Sequence, residues 1–468
     1  MKILLIVPDG VAVRNYLYSS FIEELQNSDA EIMIYHQISD AAISEIQSVQ
    51  KKITNFQRIP LFIESPKARI LRESLAYARL LRNKKTLNNN TIMSFWNKNQ
   101  KGMKLKLLYR LSEIFGFFFS KSYKIILKFE TIYTNSISRS KVIKTIEKDI
   151  SAFNPDFILN LHQRATISAP IISVANALKI KTATVIFSWD NVPKARLISR
   201  YDYYFVWSDI MKSELKLLYP EIDCNQIEVV GTPQFEFYFK EEFHRSKFDF
   251  FNEFNLDATK KTICFSANDQ TSPYEANYLQ DICEQLSSLP KNLRPQIIFR
   301  RNPVDRSNRF DKVLRVYKNL IAISNPDWRV ENNQTKSFAG MYPAYNDIQL
   351  LVNTVLHCDL VINLGSTMAH DFSVMNKPCL YLKYNPLEKS SFDVKKVYSF
   401  QHFSSMKGLD AVFWVNSKEE INAKILEALD CPENVAKDRK KWMQKIVAYP
   451  LQDCSKKIVK SIKLKIHN

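Results

Sequence analysis

Short apolar runs alternate along the chain with stretches whose apolar positions recur at helical spacing. KILLIV (2–7) precedes a helical pattern over 16–26, and AEIMIYH (30–36) follows it. Further on come DFILNLH (156–162), a helix over about 166–178, KTATVIFSW (181–189), YDYYFVWS (201–208), a helix opening at 208/209, and IEVVGTP (227–233). Strand runs separated by helices of ten to fifteen residues predict βαβ units and a parallel sheet. Residues 240–258 break this rhythm with a polar, aromatic stretch read as a linker. A second series then runs through KTICFSAN (261–268), helix 274–288, QIIFRRNP (296–303), LIAISNP (320–326) and helix 346–357. It continues with DLVINLGS (359–366), helix 367–376, PCLYLKY (378–384), AVFWVNS (411–417) and a helix to about 429; the tail from 436 reads as basic and helical.

One region does not fit. Residues 63–150 form a basic insert in the first series, containing MKLKLLYRLSEIFGFFFSKSYKIILKF (103–129). The whole chain of 468 residues carries a net charge of +18. Residues 67–144 hold 18 Lys/Arg against three acids, an excess of 15, which leaves about +3 for the rest. Apolar and aromatic side chains interleaved with Lys and Arg on helices predict contact with an anionic membrane surface; the plainer alternative is a helical pair with solvated charges. No nucleic-acid-binding motif accompanies the charge, so no nucleic-acid partner is expected.

The 468 residues predict two domains, and 46% apolar residues suffice for two cores. Seven scattered cysteines without a C-x-x-C pair argue against a disulfide framework or a zinc site and suit a reducing cytosol. The opening run of six apolar residues is read as a buried strand rather than a secretion signal, and no apolar stretch has membrane-spanning length.

The stretch NLGSTMAHDF (363–372) carries the first chemical signal. A strand ending in Gly-Ser-Thr before a helix can present backbone N–H groups to a phosphate. Gly365 would let the backbone approach, while Ser366 and Thr367 could cap the helix or donate to an oxygen. Asp371, one turn along, could accept hydrogen bonds from sugar hydroxyls. The alternative is a capped turn without a ligand. There is no Gly-Lys-Ser/Thr here and no G-x-G-x-x-G after the first strand, which disfavours a Walker loop and hydride chemistry.

DLVINLGSTMAHDFSVMNKPCLYL resembles the donor-binding segment of GT-B-fold glycosyltransferases of the bacterial surface-polysaccharide type, and is similar to the CDP-glycerol glycerophosphotransferase-like group. SDIMKSELKLLYPEIDCNQIEVVGTPQFEFY (208–238) resembles the end of the N-terminal domain in such enzymes. The resemblance implies an α/β GT-B fold, two Rossmann-like domains facing across a cleft. Residues 1–240 would bind the acceptor and 259–435 the nucleotide donor, joined by 241–258. The tail 436–468 would pack back toward the first domain.

It further implies no essential metal and no cofactor, so helix N-termini and cations would stabilise the leaving diphosphate. Arg300 and Arg301, in FRRNP, and Ser266, Asn268 and Gln270, after the first strand of the second series, are the candidate donor contacts. Asp9, Asp190 and His162 each follow a strand and are alternative general bases; Asp9-Gly10 and Asp190-Asn191 could equally be turns. Gly10, Arg14 and Arg164 are candidate acceptor contacts.

The expected activity is transfer of a sugar from a nucleotide-sugar donor to a hydroxyl of a glycan or lipid-linked acceptor in surface polysaccharide synthesis. The expected location is cytoplasmic, peripheral on the inner face of the membrane. The alternatives are a CDP-polyol phosphotransferase, a nucleotide-sugar 2-epimerase of the same fold, and a non-catalytic scaffold.

Overall fold

The computed structural model describes residues 1–96, 102–194, 196–330, 340–387 and 392–467. The chain forms two compact units. The first comprises residues 1–233, 400–402 and 447–468, and the second residues 234–399 and 403–446.

The first unit is built on β1 (Lys2–Val7), β2 (Glu31–His36), β3 (Asn55–Arg58), β4 (Phe157–Asn160), β5 (Lys181–Val185), β6 (Tyr203–Val206) and β7 (Ile227–Val229). They lie in the order β3-β2-β1-β4-β5-β6-β7, and every neighbouring pair is parallel. Ile3, Leu4, Leu5, Ile6 and Val7 are all fully buried; such unbroken burial means that both faces of the sheet are covered, so the strand is a continuous apolar run.

The second unit repeats the winding with β8 (Thr262–Ser266), β9 (Gln296–Arg300), β10 (Ile321–Ser324), β13 (Leu360–Asn363), β14 (Cys379–Leu382) and β15 (Phe413–Val415), in the order β10-β9-β8-β13-β14-β15. A short antiparallel pair, β11 (Trp328–Val330) and β12 (Met341–Pro343), stands apart from it. In both sheets the order reverses beside the first strand, between β1 and β4 and between β8 and β13. Ligands bind at such switch points, outside the carboxyl ends of the strands.

Among the elements the sequence pattern misses are the helix Asp40–Val49, the edge strand β3, whose NFQR is half exposed, the β11/β12 pair, and the helix Lys247–Glu253 inside the stretch read as a linker. That last helix buries Phe250 and Phe251.

The insert is helical. Helix Pro66–Thr86 starts at Ser65, whose hydroxyl accepts from Ala68 N–H with Pro66 in the first turn. Helices Met103–Ser120, Tyr123–Ile137 and Ile143–Phe153 follow. Gly116 is where the helices Pro66–Thr86 and Met103–Ser120 meet: a Cβ there would stand 2.5 Å from the Ser74 carbonyl oxygen. Phe119 stacks on Phe129 with centroids 4.0 Å apart. Arg79, almost fully buried, binds both Glu130 carboxylate oxygens at 3.0 and 2.9 Å and donates to the Leu218 carbonyl; Arg200 joins Glu130 at 2.6 Å. This network ties the insert to the helix Asp209–Leu218 and to the loop before β6.

The outer side of the insert is apolar and basic. Leu107, Ile114, Phe117 and Phe118 are each about half exposed, and Lys121 lies over the Phe117 and Phe118 rings. Among the described residues no helix is long and apolar enough to cross a membrane. All seven cysteines are free thiols.

Candidate functional site

In the first unit the loops after β1 and β4 meet at the switch point. His162 Nδ1 lies 2.6 Å from Asp9 Oδ2. The other Asp9 oxygen accepts from Val11 N–H at 3.1 Å, a turn that fixes the carboxylate. His162 is only 7% exposed, and its Nε2 has no hydrogen-bond partner among the described residues. In the tautomer whose Nδ1–H donates to Asp9, Nε2 carries the lone pair.

Asn160, the last residue of β4, is fully buried and braces this loop. Its amide donates to the His162 carbonyl and to Tyr201 Oη, and its Oδ1 accepts from Ser168 Oγ at 3.0 Å. Gln163 spans to the next loop, donating to Asn191 Oδ1 and accepting from Phe187 N–H. The sequence signal for Asn160 is an amide inside the apolar run FILNL.

Asp9 and His162, alternative bases in the sequence, are thus one pair. Asp190 is separate. It is ion-paired to Lys194 and accepts from Ser188 Oγ and Asn191 Nδ2. Burial acts to raise its pKa, but Lys194, His402 and the Ser188 hydrogen bond hold the carboxyl far below the usual carboxylate range. A carboxylate so stabilised is a poor proton acceptor. Desolvation in turn pushes the His402 imidazole down to about 4, against the pull of Asp190. Gly10 is buried in the turn after Asp9. Arg14 Nε donates to Asn15 Oδ1. Arg164 is exposed, within electrostatic reach of Asp190 and Asp9.

In the second unit the corresponding strand, β13, also ends in a fully buried asparagine, Asn363, whose Oδ1 accepts from Ser366 N–H at 3.0 Å. Gly365 has φ +71°, and a Cβ there would meet Phe403 Cζ at 2.7 Å; the turn requires glycine on both counts. Ser366 Oγ accepts from Met368 N–H, so two of the turn's amides are satisfied internally. The Thr367 N–H has no protein partner among the described residues. The helix that follows, Met368–Val374, buries Asp371, and Asp371 Oδ1 accepts from Tyr238 Oη at 2.7 Å. One face of the expected sugar contact is therefore already occupied. His370 packs on Trp442.

Asn268 Nδ2 donates to the Leu364 carbonyl at 2.8 Å, which joins the loop after β8 to the Gly365 turn. That loop is held by Arg309, missed in the sequence, which binds Asp305 at 2.6 Å, Glu275 at 3.1 Å and the Asn268 carbonyl. No local pattern signals this, since residues 305–309 form a loop rather than a helix. Glu275 is fully buried, and desolvation pushes its carboxyl up to about 8. Ser266 is buried at the end of β8, and Gln270 is exposed with its amide 3.4 Å from Asp305.

The two arginines of FRRNP diverge. Arg300 is buried and paired with both Asp347 oxygens at 3.1 and 3.2 Å, so its charge is already matched. Arg301 donates to the Ser307 carbonyl and lines a cavity of about 440 Å³ with Asn302, Asp305 and Trp328. Among the described residues no group of three or more His, Cys, Asp and Glu could hold a metal ion.

Two Rossmann-like units with all-parallel, doubly wound sheets define the GT-B class, and solved structures share that fold. A UDP-GlcNAc 2-epimerase from Neisseria meningitidis, solved with UDP-GlcNAc bound, is 13% identical with a TM-score of 0.53, over 99% of this chain and 100% of that one. The UDP-GlcNAc 2-epimerase of Methanocaldococcus jannaschii gives 15% and 0.54, over 99% and 100%. A glycosyltransferase from Rickettsia africae gives 11% and 0.53, over 100% and 98%. No family model and no curated protein matches the sequence. The likeness supports the GT-B fold and not the narrower CDP-glycerol glycerophosphotransferase-like group.

Proposed function

We propose that the protein is a nucleotide-sugar enzyme in which His162, oriented by Asp9, takes a proton from the substrate. The observation that carries this is the 2.6 Å pair at a switch point, with a buried Nε2 left unpartnered. In the reaction we put first, Nε2 removes the proton of an acceptor hydroxyl as that oxygen attacks the anomeric carbon. The bond from that carbon to the donor oxygen breaks, and the nucleoside diphosphate leaves. The Gly365 turn, with the Thr367 N–H, is assigned to the diphosphate, and Asn268 supports that turn.

A second reading is 2-epimerisation of a nucleotide sugar, and the likeness to 2-epimerases supports it more directly than it supports transfer. What favours transfer is the insert, which adds aromatic and cationic surface for a second substrate. The insert's exposed Leu107, Ile114, Phe117 and Phe118, flanked by lysines, are assigned to an anionic bilayer. Salt-sensitive flotation with anionic vesicles, lost on Phe117→Ser/Phe118→Ser, tests that assignment.

The deciding experiment incubates the protein with UDP-, GDP-, CDP- and TDP-sugars in D2O without acceptor. Deuterium at C2 of the sugar supports epimerisation. A donor consumed only when a hydroxyl acceptor is added supports transfer, and a CDP-polyol consumed in place of a sugar moves the reading to polyol-phosphate transfer. A protein that binds and alters none of them overturns the reading.

A further inference from the structure

The loop that carries His162 continues into a cavity of about 330 Å³ inside the first unit. The insert supplies Arg72, Trp96 and Tyr109 to its wall, and the sheet loops supply Arg164, Lys194 and Arg196. Glu73 is the one acid in that lining. Two of the cations are already neutralised. Arg72 binds Glu64 at 2.9 Å and Glu73 at 2.7 Å, and Lys194 is paired with Asp190.

Arg196 and Arg164 are different. Among the described residues no carboxylate lies within ion-pair distance of either. Arg196 is only 9% exposed, donates to the Leu197 carbonyl at 3.4 Å and lies 5.4 Å over the Tyr133 ring. Glu130 and Glu73 attract it at longer range, but Glu130 is held by Arg79 and Arg200 and Glu73 by Arg72. A guanidinium removed from water without an anion is unfavourable, and its planar donors match phosphate oxygens. The lining also includes the apolar and aromatic Leu80, Phe95 and Trp96.

We propose that this cavity binds the phosphoryl group of an amphiphilic substrate, with Arg196 and Arg164 on the phosphate oxygens and the apolar lining beside the adjoining chain. The ligand class is an alkyl or isoprenyl phosphate. Its role as the phosphate of an acceptor that bears its hydroxyl elsewhere rests on the transfer reading above; its binding does not.

Binding is measured by calorimetry without nucleotide sugar, using decyl phosphate, decanol and inorganic phosphate as probes. Decyl phosphate is expected to bind more tightly than either of the others. Arg164→Gln, at an exposed position, and Arg196→Gln should each weaken it by about tenfold or more, the scale of one lost charge-assisted contact; Arg196→Lys should retain part of the affinity. UDP binding should be unchanged in all three variants. Equal binding of decanol, unaltered binding in Arg164→Gln and Arg196→Gln, or stoichiometric displacement by UDP would each overturn the proposal. If decyl phosphate binds as expected but 10-hydroxydecyl phosphate, which adds an acceptor hydroxyl, is not glycosylated by any nucleotide sugar, the site stands and the transfer reading fails.

Discussion

The two sheets share one winding, and in each the strand beside the first ends in a buried asparagine, Asn160 in one unit and Asn363 in the other. The loops after them differ in kind. After Asn160 the loop presents a titratable side chain with an unsatisfied nitrogen, held by a carboxylate from the neighbouring loop. After Asn363 it presents a glycine turn, most of whose polar groups are answered within the unit. The same topological position thus supplies side-chain chemistry in one unit and shaped backbone in the other. The difference comes from which atoms are left unpaired, not from the fold.

The largest expected effect tests the first half of that contrast. His162→Gln should lower turnover by about 10²–10⁴-fold, the range for a lost general base, with nucleotide affinity nearly intact. Asp9→Asn should cost less and should change the pH profile of kcat, because it alters the orientation and tautomer of the imidazole rather than removing it. Wild-type turnover in both variants would sink the dyad.

The backbone half is probed by Gly365→Ala. Its left-handed φ and the contact with Phe403 should cost about 1–3 kcal/mol, read as a lowered Tm and weaker nucleotide binding. Adding Phe403→Leu should recover the contact's share only, leaving the φ strain. Full recovery would mean the turn tolerates any residue.

The smallest effect lies outside both loops. Burial pushes the Glu214 carboxyl up to about 7. Between the ordinary carboxylate pKa and that value, the folded chain holds a proton that the unfolded chain has lost. Stability contributed by this group is therefore full at low pH and declines as pH rises through about 7. Glu214→Gln should shrink the fall in Tm between about pH 5 and pH 8; an unchanged slope would remove Glu214 as its source.

Much of the scaffold could be read from the chain, because strands buried on both faces are unbroken apolar runs such as KILLIV and DLVI. The edge strand β3 could not, since NFQR is exposed and lacks that pattern. Within the site, Asp9 and His162 were legible separately as polar residues following strands. Their pairing was not, because it joins loops 153 residues apart through a β1–β4 adjacency that sequence order hides. Arg300 and Arg301 show the converse: they are alike in sequence, yet one faces Asp347 and the other the loop at Ser307, a choice made by packing.

The division of the chain between the units has a consequence for biosynthesis. The first unit is closed by residues 447–468. Ala448 N–H donates to the Trp207 carbonyl, Lys465 pairs with Glu228 at 2.8 Å, and Cys454 lies against Gly231. As the chain leaves the ribosome, residues 234–446 are complete before this closing segment emerges. The later-encoded unit can therefore finish folding first, while the His162 loop waits on a scaffold still missing its last helix. A fragment cut at residue 233 would stay in that unfinished state, so separating the two units calls for a circular permutation rather than a truncation.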